Sequence, residues 1–268
     1  MRAAAALVPA TLVLVALTLA ALWPGLFTAY SPTEVDPALA LRPPGEGHLL
    51  GTDQLGRDVW ARILYGTRLS LSTGLAATAL AVAAGTCAGL LAALGGRAAD
   101  QTIMRTADVL LALPGMLLAL LVITVLGPGQ GSALIAIAVA EVPGYARMIR
   151  SRALVVRRAE YVDAAVVLGL PHRSVVARHI LPNSLSPLLV LATLGTGTAI
   201  LAGSALSFLG LGVRPPQPEW GALLAEGREF LATAWWLAFF PGLAITVTVI
   251  AVNVAGRHLR LRFEGRHR

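Results

Sequence analysis

The sequence predicts an all-α membrane protein with six transmembrane helices and both termini in the cytoplasm. A pair of short helices is expected to protrude into the cytoplasm between the fourth and fifth spans. Three observations carry that prediction. Of 268 residues 56% are hydrophobic and only 13% charged, with a mean hydropathy of +0.74, far above that of a soluble domain. The apolar residues fall in successive runs of about 20, each long enough to cross a hydrocarbon core of ~30 Å as a helix. Lastly, the cations are unevenly placed: all 21 are arginine and none is lysine. One side carries Arg2, Arg97, Arg105, seven arginines between 147 and 178, and five after 256. The other side carries Arg42, Arg57, Arg62, Arg68, Arg214 and Arg228. The excess marks the cytoplasmic side, and it places residues 160–182 there.

Taken in order, residues 3–23 are apolar and end at Trp23-Pro24. The run exceeds the ~7–15 residues of a signal-peptide core and lacks an A-x-A site, so an uncleaved first span is expected. Residues 24–68 form the largest polar insertion. Within it Val59, Trp60, Ile63 and Leu64 share one helical face against Arg57, Asp58 and Arg62, the pattern of a short helix lying on the membrane surface. The second span is expected at 69–94, where Gly85 and Gly89 permit close helix approach. The third is expected at 103–126, the fourth at 132–148 with an interruption at Pro143-Gly144, the fifth at 185–206 and the sixth at 234–256. This divides the chain into 1–68 (first span and outer segment), 69–256 (a five-helix core) and a basic cytoplasmic tail, 257–268. All five tryptophans fall on the outer side, as an interfacial belt would. The lone Cys87 excludes a disulfide and reads as a small buried hydrophobe.

Residues 160–182 are the polar segment around which the spans are arranged. Glu160 and Asp163 sit in a first turn, where the helix dipole favours acids. Val162, Ala165, Val166 and Gly169 recur at helical spacing. Gly169 supplies a break, Pro171 suits the first turn of a second helix reaching about Ile180, and Pro182 is expected to end it. Small residues on the first helix let another protein's backbone come close.

Several chemistries are excluded. A P-loop needs its lysine, so without one the chain holds no ordinary ATP site. ATP and Mg would belong to partner chains. There is no metal-ligand cluster and no nucleophile elbow, so no enzyme activity, resident metal or cofactor is expected. His172 and His179 read as polar contacts to solvent or a partner. The net charge of +7 sits at membrane flanks, which assigns it to lipid and topology rather than to nucleic acid.

Asp163-Ala164-Ala165, Gly169 and Leu181-Pro182 match the pattern EAA-x3-G-x9-I-x-LP, with Asp163 in place of Glu and His179 in place of Ile. On those residues the chain resembles the permeases of bacterial ATP-binding-cassette importers. The phrase GTDQLGRD (51–58) and residues 205–231, ALSFLGLGVRPPQPEWGALLAEGREFL, resemble the dipeptide, oligopeptide and nickel branch, C-type subunit. The resemblance implies a bacterial cytoplasmic-membrane heterodimer with a B-type permease, two cytoplasmic ATPases and an extracytoplasmic substrate-binding protein. It assigns Glu160, Asp163, Ala164, Ala165, Gly169, Leu181 and Pro182 to the ATPase contact. The C-terminus departs from the branch, reading Gly256-Arg257-His258-Leu259-Arg260-Leu261 where an acidic phrase is usual. Residues 205–231 are expected to form an outward ledge with a short helix at 220–231, either receiving a delivered ligand or docking a binding protein, or else only capping the spans. Asp108 is expected to play a structural role beside Arg105. Glu141, a costly acid within a span, has two readings: it lines the translocation path and favours a cationic substrate group, or it reaches to Arg147 at the inner interface. A stand-alone channel or secondary transporter is the competing class, with no internal repeat to support it.

Overall fold

The computed structural model describes residues 2–264, which form ten α-helices joined by turns and by one longer outer segment, 23–58. Helix α2 (Val59–Leu94) is the central post, packed on α5 (Gln130–Arg157) and α8 (Leu181–Phe208). Helix α10 (Trp236–Glu264) packs on α8, and α1 (Arg2–Leu22) lies outside against α10 and α2. Among the described residues four helices are long and apolar enough to cross a membrane, within Val59–Leu94, Gln130–Arg157, Val190–Phe208 and Trp236–Leu261. The apolar stretch Leu7–Leu22 of α1 is shorter. The expected basic tail continues α10 as far as Glu264, and Arg266 and Arg268 lie outside the described residues.

The expected third span is not one helix. Helix α3 (Gly96–Leu111) and α4 (Gly115–Leu126) are bent by 99° at the break between them. The cause is local, since the residue before a proline avoids the α region and Leu113-Pro114 stands at the corner. Helix α3 is mostly exposed, whereas α4 is apolar and packs on α5.

Two other expected breaks do not occur. Helix α5 runs unbroken through Pro143, as long membrane helices permit when neighbours satisfy the freed carbonyl. The surface helix expected before the second span is instead the outer end of α2, a single helix of 36 residues. Asp58 caps it, accepting from the Ala61 amide at 2.7 Å. Its polar face meets no water, because Arg57, Asp58 and Arg62 are all buried.

Glycine sets the α2–α5 spacing, as expected. A Cβ on Gly85 would stand 2.5 Å from Tyr145 Cβ, and one on Gly89 would stand 2.5 Å from the Ala146 carbonyl and 2.8 Å from Ile149 Cβ. Gly89→Val is therefore expected to force the helices apart and cost about 1–3 kcal/mol. Thermal unfolding in detergent reads this directly, with Gly131→Ala, which meets open space, as the silent control. Because Gly85 and Gly89 turn towards α5, Cys87 faces away and is exposed, not buried as expected.

The opposite end, the one expected to face outward, is closed by α9 (Trp220–Arg228). Trp220 and Trp236 do not join an interfacial belt: both are buried in an apolar cluster with Val59, Ile63 and Leu223. Their indole N–H groups donate to the Ile63 carbonyl at 3.0 Å and the Thr52 carbonyl at 3.1 Å. Trp23 and Trp235 are exposed, as belt residues would be.

Candidate functional site

At one end of the bundle, the end expected to be cytoplasmic, α6 (Glu160–Val167) closes on Gly169, whose φ of +78° is left-handed. The Gly169 amide donates to the Val166 carbonyl at 2.9 Å and the Leu170 amide to the Ala165 carbonyl at 3.1 Å. These two bonds are the Schellman closure, for which glycine is the favoured residue. Helix α7 (His172–Val175) follows, with Pro171 at its cap rather than inside its first turn. A π-helical turn, Val176–Ile180, then leads directly into α8. Pro182 therefore begins α8 and does not terminate a helix as expected. A wider turn beside it accommodates the missing amide and the ring.

Burial divides the site residues. Val162 and Ala165 are buried with Val175, Ile180, Ala93 of α2 and Ala153 of α5, which fixes the segment to the bundle. Ala165 is thus part of the base, while Glu160, Asp163, Ala164, Gly169 and Pro182 are exposed and Leu181 is half-buried. The tip carries apolar surface: Val166, which shares the helical spacing of Val162 and Ala165, is 57% exposed, and Val167 and Leu168, which that spacing leaves out, are 86% and 79% exposed. Its sequence signal is an apolar triplet immediately before the turn glycine of a polar segment. His179 stacks near Tyr161, with ring centroids 6.4 Å apart, and His172 is exposed.

A second polar group lies at the α5–α8 seam. The Thr198 hydroxyl of α8 shares its one proton between the Gly195 carbonyl at 2.8 Å and Glu141 Oε1 at 3.1 Å. The buried Tyr145 hydroxyl also faces the Glu141 carboxylate, whose Oε2 is buried without a hydrogen bond of normal geometry among the described residues. Glu141 does not reach to Arg147. The Arg147 guanidinium instead pairs with Asp108 at 2.6 Å, so the partner of Asp108 is Arg147 rather than Arg105. Arg150 pairs with Asp100 in the same way. These two pairs staple α3 to α5.

The outer end of α2 carries a third group. Asp53 Oδ2 accepts from Arg57 Nε and Arg62 Nη1, each at 2.6 Å. Glu226 of α9 accepts from Arg62 Nη1 at 2.7 Å and Arg57 Nη2 at 3.1 Å. Burial alone would raise the Glu226 carboxyl, but the Arg62 hydrogen bond and the charges of Arg62 and Arg57 outweigh it and hold it below the ordinary range. A carboxyl depressed in the fold adds stability above its unfolded value, and that stability is lost as the pH falls through the folded value. Acidification from neutrality through and below about pH 4 is therefore expected to loosen α9 from α2. Amide exchange of 220–228 against pH measures this. Glu226→Gln should remove most of the acid sensitivity.

The comparisons agree with this architecture. Residues 85–266 match the family described as binding-protein-dependent transport system inner membrane component. The dipeptide transport system permease protein DppC of Alkalihalophilus pseudofirmus is 43% identical over 93% of this chain and 82% of its own length. The di/tripeptide transport system permease protein DppC of Pseudomonas aeruginosa is 42% identical over 86% of this chain and 78% of its own. Among solved structures, an inward-facing conformation of the MetNI methionine ABC transporter has the same fold, with a TM-score of 0.59 at 17% identity over 74% of this chain and 94% of that one. The coverage includes α2 from Gly85 onward, the stapled α3–α5 region, the protruding α6–α7 segment and the spans that follow it. The chain belongs to the family of binding-protein-dependent inner membrane transport components and is a permease subunit of an ATP-binding-cassette importer.

Proposed function

We propose that this chain forms half of the translocation path for di- or oligopeptides, or for a related small solute such as a nickel chelate. Its other half is a related B-type permease. Two cytoplasmic ATPases bind the ATP and Mg that this chain does not hold, and an extracytoplasmic binding protein delivers the solute to the outer ledge. The chain crosses the membrane six times, through α1, α2, the bent α3–α4 pair, α5, α8 and α10, with both termini inside. The peptide class rests on the names of the relatives, dipeptide and di/tripeptide permeases.

The observation that supports ATPase coupling most directly is the form of the α6–α7 segment. It has a buried base, Val162 and Ala165, and an exposed apolar tip, Val166 to Leu168, beside Gly169. Glu160, Asp163, Ala164 and Gly169 meet the ATPase with that tip, Ala165 holds the segment to α2 and α5, and Leu181 and Pro182 continue it into α8. Because the base is packed on α2 and α5, a displacement of the tip is carried into the spans instead of being absorbed by a loop. The complex alternates between inward- and outward-open arrangements on that displacement.

Affinity purification of the tagged chain from its native membrane tests the assembly, and reconstitution tests the coupling. Recovery of a second permease and ATPases, with ATP hydrolysis stimulated by a peptide-loaded binding protein, is the expected result. A homogeneous complex of this chain without ATPase would overturn it.

A further inference from the structure

We propose that Glu141 and Thr198, with the open face of α5 at Gly144, form a site for a positively charged group of the solute in transit; this rests on the importer reading above. Glu141 lies eleven residues into α5, about 16 Å from its Gln130 end, and Thr198 sits near the middle of α8. Both therefore stand near the centre of a ~30 Å hydrocarbon layer. At that depth Thr198 is exposed and Glu141 half-buried. One turn along α5 from Glu141, Gly144 has nothing within 4 Å of where a side chain would begin. A carboxylate, a hydroxyl and open space on one side of two membrane helices are costly against lipid and suit a water-filled path.

The chemistry of the occupant follows from what the protein leaves unpaired. Neither neighbouring arginine on α5 neutralises Glu141, since Arg147 is held by Asp108 and Arg150 by Asp100. The hydroxyls of Thr198, shared with the Gly195 carbonyl, and of Tyr145 face the carboxylate but carry no charge to offset it, and Oε2 lacks a hydrogen bond of normal geometry among the described residues. A side-chain ammonium group of a peptide supplies both the missing charge and the missing donors. A neutral donor supplies no charge, and an anionic group supplies neither.

The test uses the whole importer in proteoliposomes, in a Cys87→Ser background because the native thiol is exposed. The thiol of Thr198→Cys is treated with a cationic methanethiosulfonate, the ethylammonium form, and an anionic one, the ethylsulfonate form. Each rate is taken relative to that of a small free thiol. The expected result is a preference of about tenfold for the cationic reagent, one decade being the effect of 1.4 kcal/mol, and its disappearance when Glu141→Gln is added. Uptake then separates the roles: Glu141→Gln should lower Ala-Lys transport several-fold more than Ala-Ala transport, with partial recovery in Glu141→Asp. Failure of both reagents to react, a preference that survives Glu141→Gln, or equal losses for the two dipeptides would each overturn the site. A wild-type importer that carries neither dipeptide would refute the peptide reading, and the thiol rates would still decide the site.

Discussion

Gly169→Asp is expected to leave the chain inserted and folded in the membrane while abolishing uptake and peptide-stimulated ATP hydrolysis. The turn has room for a side chain, since nothing lies within 4 Å of a Cβ at that position, so steric collision inside the chain is not the mechanism. Two other effects act. The left-handed φ of +78° costs an ordinary L-residue roughly 1–2 kcal/mol, and Asp and Asn tolerate it better than most. The larger effect lies at the proposed interface. There Val167 and Leu168 would each gain roughly 1.5–3 kcal/mol on full burial, and an unpaired aspartate would have to lose its water beside them. A loss of a few kcal/mol lowers ATPase affinity by about two decades. Gly169→Asn is the control, having the same shape and turn preference without the charge. If both variants transport normally, the tip is not the coupling contact. If both fail equally, the turn geometry matters and the interface does not.

Arg62→Met is expected to be the most destabilising single change at the outer end, by about 3–5 kcal/mol. Arg62 and Asp53 are each only 2% exposed, and Arg62 is the residue that bridges Asp53 to Glu226. Methionine would fill much of the space yet leave Asp53 with Arg57 alone and Glu226 with a longer contact. Glu226→Gln should cost less, because that side chain is 22% exposed and water can replace part of what is lost. Thermal unfolding of the purified complex gives the order. Equal or negligible shifts for the two variants would show that the network does not hold the ledge.

Most of the spans are legible in the sequence because their signal, a run of some 20 apolar residues, depends on no partner. The α2–α5 crossing is legible for the same reason: Gly85 and Gly89 declare a close approach whichever helix fills it. The turn at Gly169 follows from chemistry local to five residues. What the sequence hides depends on distant partners. An amphipathic pattern at Arg57 to Leu64 looks the same whether its polar face meets water or a carboxylate at Glu226, and only the folded chain brings Glu226 there. Trp220 and Trp236 count as interfacial aromatics until the carbonyls of Ile63 and Thr52 are found against them. A contact of Glu141 with Arg147 fits the sequence equally well, and only the fold, which pairs Arg147 with Asp108, removes it. The corner at Pro114 was passed over because apolarity averaged along 103–126 carries no direction.

The unbroken length of α2 has a mechanical consequence. Its outer turn holds Arg62 in the arginine–carboxylate network, and its last turn places Ala93 in the base beneath α6. The two are 31 residues apart on one helix, a stiff rod of about 46 Å with no hinge between its loads. A tilt of only ~5° about the end beneath α6 swings the end beside α9 by roughly 4 Å on that length, so under the proposed topology a small stroke at the ATPase side becomes a larger one on the solute side. The rod then works as a lever arm. Spin labels at its two ends should keep a constant separation through the transport cycle while each moves against the membrane. A separation that changes between states would place a joint within α2 and shorten the arm.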